Sequence, residues 1–172
     1  MKHSLLLAGT TLLFAVALTG CGLKRNTKAA EAEVDRFHQH WNAGEFQAIY
    51  DAAHANFRSS QPADQMAATL ERVKRNYGAF KSAVRRSWGF STDNGVSDVK
   101  LKYDSVYENG TAVEAFVYRM SGEKALLVSY DIMSLETAKK REEEENAARD
   151  AKRKADEEKR QAEREARKQK KP

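Results

Sequence analysis

Cysteine is the scarcest residue that matters here. Of the 172 residues only Cys21 carries a thiol, so no disulfide closes within the chain and no thiolate metal centre forms. Metal-binding histidine pairs are missing too. His38 and His40 are two apart, whereas a chelating pair on a helix needs i, i+4 spacing, and His54 lacks a partner at that distance. No glycine-rich phosphate loop is present, and Ser59 and Ser60 lack a nucleophile-elbow context. Neither a metal nor a cofactor is expected. The formal charge of +5 is not a property of the whole chain. Residues 1–28 carry +4, residues 29–134 carry −2 and residues 135–172 carry +3. A nucleic-acid-binding fold needs a basic face, and the slightly acidic middle segment does not supply one, so no nucleic-acid partner is expected.

The uncharged apolar stretch Leu5–Leu18 is 14 residues long. It suits the core of a secretory leader and falls short of the ~20 apolar residues that cross a bilayer. A basic start precedes it, and Leu18-Thr19-Gly20-Cys21 follows. This order resembles the lipobox of bacterial lipoproteins. The resemblance implies cleavage between Gly20 and Cys21 and fatty acylation of Cys21, whose chains hold the mature protein to a membrane. An ordinary signal peptide with a stray cysteine is the alternative. Gly22 in the second mature position, rather than Asp, implies by the same resemblance an outer-membrane location facing the periplasm. Residues 1–20 are therefore read as a leader and residues 21–28 as a polar tether. Lys24, Arg25 and Lys28 either meet anionic head groups, at ~1 kcal/mol each, or are simply solvated.

Residues 29–134 read as one α+β domain. Val34, Phe37 and Trp41 share a helix face that Gly44 ends. A second helix is expected over 45–56, with Phe46, Ile49, Tyr50, Ala53 and Phe57 as its apolar face. A third starts at Asp64, carries Met66, Leu70, Val73 and Tyr77, and ends at Gly78. The period then changes to two. Strands are expected over 84–91, from Val99, over 112–120 and over 124–134, the last with Leu126, Val128, Tyr130 and Ile132 on one face. Asn109-Gly110 predicts a type I′ hairpin turn. Helices followed by a strand meander imply N-terminal helices packed on an antiparallel four-stranded sheet.

The stretch Phe37-x3-Trp41-Asn42-Ala43-Gly44-Glu45-Phe46, with Tyr50, Phe57 and the long hairpin ending in Tyr130, resembles the nuclear-transport-factor-2-like (cystatin-like) superfamily. That resemblance implies a curved sheet cupping the helices, with a cone-shaped pocket between them. The superfamily includes isomerases, cyclases, ligand carriers and non-catalytic assembly domains. Trp41, Tyr50, Phe57, Tyr77 and Tyr103 are the candidate pocket residues. A catalytic reading needs a buried carboxylate, and no clear one is found: Asp131 lies on the strand face opposite Tyr130, and Asp51 lies off the helix stripe. No catalytic residue is assigned. Arg85-Arg86 beside Trp88 reads as a solvated strand end or a contact for an acidic partner.

Residues 135–172 contain no Val, Ile, Phe, Tyr, Trp, Met or Gly, and their one proline is Pro172. Ala, Glu, Lys, Arg and Gln dominate, which predicts a long charged helix. Acid-before-base pairs at i, i+4 recur, such as Glu145–Arg149 and Asp156–Arg160. The helix is either solitary and solvated or a weak alanine-lined coil through Ala148, Ala155 and Ala162. The resulting expectation is a non-enzymatic envelope lipoprotein. Its arm, residues 135–172, meets an envelope protein or cell-wall partner. The rival expectation is small-molecule binding or isomerase-like chemistry in the cone.

Overall fold

The computed structural model describes the backbone of residues 17–169 and the side chains of residues 22–165. Residues 1–16 of the leader lie outside the described residues, as does the Cys21 side chain. The elements run α1 (Ala17–Ala43), α2 (Phe46–Ala52), α3 (Ala55–Ser60), α4 (Ala63–Tyr77), β1 (Phe80–Asp93), β2 (Val96–Tyr107), β3 (Gly110–Ser121), β4 (Lys124–Ser134) and α5 (Leu135–Gln169). The strands form one antiparallel meander in the order β1-β2-β3-β4. The architecture is the α+β one expected: helices, then a four-stranded sheet, then a long charged helix. The chain divides after Ile132 into two compact units. Among the described residues no helix is long and apolar enough to cross a membrane.

In α1, Val34, Phe37 and Trp41 are buried as their spacing implies, and Ala30 and His38 extend the same stripe. The helix starts earlier than its composition suggests. Residues 21–28, read as a tether, are helical within α1. One further turn of the stripe explains this: Thr27 is buried, and its hydroxyl bonds back to the Leu23 carbonyl at 3.0 Å. Gly44 ends α1 with φ 76°, and the amides of Gly44 and Glu45 return to the carbonyls of Trp41 and His40.

The helix expected over 45–56 is two helices. Ala53 and His54 are extended. The His54 amide leaves the helical ladder and donates to the Leu127 carbonyl on β4 at 2.9 Å. Arg58 donates to the carbonyls of Asp51 and Ala53 that the break leaves open, and the His54 ring accepts from the Asn56 amide. A tertiary hydrogen bond thus overrides local helix propensity.

The strand expected over 84–91 runs from Phe80 to Asp93. The Asn42 side chain extends it at the start, donating to the Phe80 carbonyl at 3.0 Å and accepting from the Phe80 amide at 2.8 Å. The positive-φ turn also moves. Asn94 (φ 48°) and Gly95 (φ 78°) close β1 to β2, as a type I′ turn requires. The β2–β3 loop is Glu108-Asn109, because Gly110 already pairs with Tyr107. The Glu108 and Asn109 amides donate to the carbonyls of Ala79 and Tyr77, which ties this turn to the end of α4. On β4 the core receives Ala125 and Leu127 rather than Leu126 and Val128, and then Tyr130 and Ile132. The inward parity changes between Leu127 and Tyr130, as one extra residue in a strand produces.

Gly78 shows how tightly the turn and helix end meet. Its φ is 77°, and a Cβ there would lie 2.7 Å from the Glu108 Cβ. Gly78→Ala should destabilise the fold by about 2–4 kcal/mol, from backbone strain plus steric overlap. Urea unfolding is the check, and an unchanged midpoint would contradict the geometry.

Candidate functional site

The inward face of β3 carries Ala112, Glu114, Phe116 and Tyr118, all buried. Glu114 is fully buried. Across the register it faces Tyr103 on β2, where Tyr103, Ser105 and Tyr107 share the inward face. Four groups converge on its carboxylate. Oε1 accepts from the hydroxyls of Tyr107 at 2.6 Å and Tyr130 at 2.9 Å. Oε2 meets His38 Nε2 at 2.9 Å and accepts from the Ser105 hydroxyl. Donors thus come from α1, β2 and β4. The His38 ring is held flat against Phe80, with centroids 3.6 Å apart and planes 4° apart. Phe37 and Phe116 close around Tyr130, at 4.5 and 5.0 Å between centroids.

Burial raises the Glu114 pKa. Hydrogen bonds from His38, Ser105 and Tyr107, with the charge of His38, outweigh burial and hold the carboxyl below its ordinary value. The tyrosines shift the other way. Burial and the Glu114 charge push Tyr107 and Tyr130 well up, and burial pushes Tyr103 up to about 12. The carboxylate therefore stays ionised and the phenols stay protonated. Each carboxylate oxygen has two lone pairs, and each already has two partners. Glu114 is held as an anion with both of its oxygens engaged. Among the described residues no buried side-chain nitrogen or oxygen lacks a partner.

A carboxylate in the core was absent from the sequence reading, and the structure supplies one. The signal was Glu114's parity on β3, between Ala112 and Phe116. His38, which its spacing from His40 excludes as half of a chelating pair, lies on the α1 stripe four residues after Val34 and three before Trp41. The acids that were weighed lie elsewhere: Asp51 is exposed and accepts from Gln47, and Asp131 is exposed.

Trp41 is fully buried, and its indole donates to the Gly78 carbonyl at 3.1 Å. Trp41 and Tyr77 both pack on Tyr107, at 5.7 and 5.5 Å between centroids. Tyr103 meets Phe116 at 6.1 Å, and Phe57 lies in the core. The Tyr50 hydroxyl donates to the Arg58 carbonyl at 2.9 Å and so holds α3. A recess of about 260 Å³ opens between α1, α2, β3 and β4, lined by Phe37, Ile49, Ala52, Tyr118, Ala125 and Leu127 and rimmed by Glu33, Arg36 and His40. None of the five candidates lines it. Arg36 pairs with Glu33, and His40 with Glu45. Among the described residues no group of acids, histidines or cysteines is placed to hold a metal. Arg85 pairs with Glu31 and Arg86 with Asp104, so the basic pair beside Trp88 serves the fold.

Glu114→Gln sets an amide among the donors and removes the charge that His38 meets, and should cost about 3 kcal/mol. The pH profile gives an independent check. The folded pKa is lowered, so Glu114's stabilising contribution is complete above its ordinary value of 4.5 and is lost as pH falls below that through the folded value. Urea unfolding between pH 7 and pH 3 should show a shallower acid loss in the variant than in wild type. Parallel profiles would contradict this account of Glu114.

No protein-family model matches the sequence, and no curated protein matches it. Among solved structures, a chain titled Rd1NTF2_05, with five substitutions in its title, is similar over 62% of this chain and 98% of its own length, at 15% identity and a TM-score of 0.45.

Proposed function

We propose that this chain is a non-enzymatic cell-envelope lipoprotein, acylated at Cys21 and held in the outer membrane facing the periplasm. Its α+β domain serves as a mount, and α5 is an arm that presents charge to an envelope partner. The observation that carries this reading is the exposure of α5. From Lys139 to Glu165 every residue is exposed except Glu142, which is half-buried. The 35 residues of α5 span roughly 50 Å at 1.5 Å per residue. A helix of that length with no apolar stripe stabilises no core, so its use lies in what it meets. The saturated Glu114 supports the non-enzymatic part, because the most buried carboxylate is closed to substrate.

In-cell photo-crosslinking tests the arm. Full-length chain should give adducts that a chain stopped after Ser134 does not, both made with the native leader. Identical adducts from the two would make α5 a spacer. After a high-salt wash of the membranes, Cys21→Ser should leave the protein in the soluble fraction, and retention through that wash would remove the lipid anchor from the reading.

The recess beside Phe37 favours a second reading, a site for a small apolar ligand. Its volume of about 260 Å³ is just below the ~300–1,000 Å³ usual for ligand sites. Anilinonaphthalene sulfonate should brighten with wild type and not with Ala52→Trp, which plugs the mouth. Equal fluorescence from both would exclude the recess.

A further inference from the structure

The charges of α5 are sorted by face. At 3.6 residues per turn, Arg149, Arg153, Arg160 and Arg164 share one narrow sector, and all four are exposed. Between Asn146 and Arg164 no acid falls within that sector; Asp156 and Glu157 border it. Ala148, Ala151, Ala155 and Ala162 occupy the opposite face. Glu143 and Asp150 lie to one side, and Glu158 shares the alanine face. Arg149 donates to Asn146 Oδ1 at 2.6 Å, and Arg153 lies 3.3 Å from Asp150. Each guanidinium has five donors, so these contacts orient the arginines and leave donors open. The four form a straight ridge roughly 22 Å long.

We propose that this arginine ridge docks on an anionic phospholipid surface, each guanidinium donating to phosphate oxygens. The inference rests on the reading of α5 as the functional arm and names its partner. Three observations select a lipid surface. A straight row of charges along one line of a cylinder is tangent to a plane. The ridge is all arginine, whose planar fork matches phosphate oxygens in pairs. Protein interfaces are centred on large buried anchors, and α5 has no apolar side chain larger than alanine beyond Leu135.

The test uses the mature chain with Cys21→Ser, so that no acyl chain contributes, and vesicles of phosphatidylglycerol with phosphatidylethanolamine. The protein should co-sediment with them at low salt, be released at high salt, and ignore phosphatidylcholine vesicles. Replacing Arg149, Arg153, Arg160 and Arg164 by Gln should weaken binding on the order of 1,000-fold. Removing four cations from other faces (Arg141→Gln, Lys152→Gln, Lys154→Gln and Lys159→Gln) should weaken it far less. Circular dichroism verifies that both variants keep the helix. Equal losses in the two variants would overturn the ridge in favour of net charge. Absence of binding to the anionic vesicles would overturn the lipid assignment outright. If arm-dependent adducts in cells prove to be protein while the vesicles stay unbound, the arm reading stands and the lipid assignment falls. If no arm-dependent adducts form and no vesicles bind, both fall.

Discussion

An anion in the core must be surrounded, and the packing of the first unit follows from surrounding Glu114. Moving a carboxylate out of water costs several kcal/mol, which only close donors return. Those donors come from α1, from two positions on β2 and from β4. Sliding α1 by one residue would aim His38 away and leave the charge short of a partner. The buried anion thus specifies the register of helix on sheet more sharply than Val34, Phe37 and Trp41 do, since apolar contacts have no direction. Neighbouring contacts lock the same register. Phe80 lies flat on His38, Asn42 grips both backbone groups of Phe80, and Trp41 donates to Gly78.

The same saturation sets the state of the groups around Glu114. Each of its oxygens already has two partners, and the phenols beside it are held protonated by burial. Trp41, Phe57 and Tyr103 lie in the core, and Tyr50 and Tyr77 pack against it. An apolar recess opens at one side, and Arg36 and His40 at its rim are paired with Glu33 and Glu45.

The two long helices form for different physical reasons. Helix α1 buries a stripe that includes Thr27, Ala30, Val34, Phe37, His38 and Trp41, and its order comes from tertiary packing. Helix α5 has no such stripe. Its order comes from residue propensity, from charge pairs within the helix and from its first turn, where the Ser134 hydroxyl accepts the Thr137 amide at 3.1 Å. The ion pairs of Arg85, Arg86 and Arg119 join residues far apart in the chain, whereas Arg153 of α5 pairs with Asp150 one turn away.

Much of the fold was legible in the sequence. The apolar stripes of α1 and α4 with their closing glycines, the change of period after Gly78, the four-strand meander and the long charged helix all follow from local pattern. Periodicity and propensity are carried by near neighbours in the chain. Tertiary structure decided the rest. Ala53 and His54 leave the helix because a carbonyl on β4 takes the His54 amide. The Glu108-Asn109 turn takes its form from the end of α4. The inward face of β4 changes parity within the strand. Glu114 and His38 stand 76 residues apart in the chain, and each alone reads as an ordinary polar residue. Their partnership exists only once α1 lies across β3, because a buried charge is defined by the groups that surround it and not by its place in the sequence.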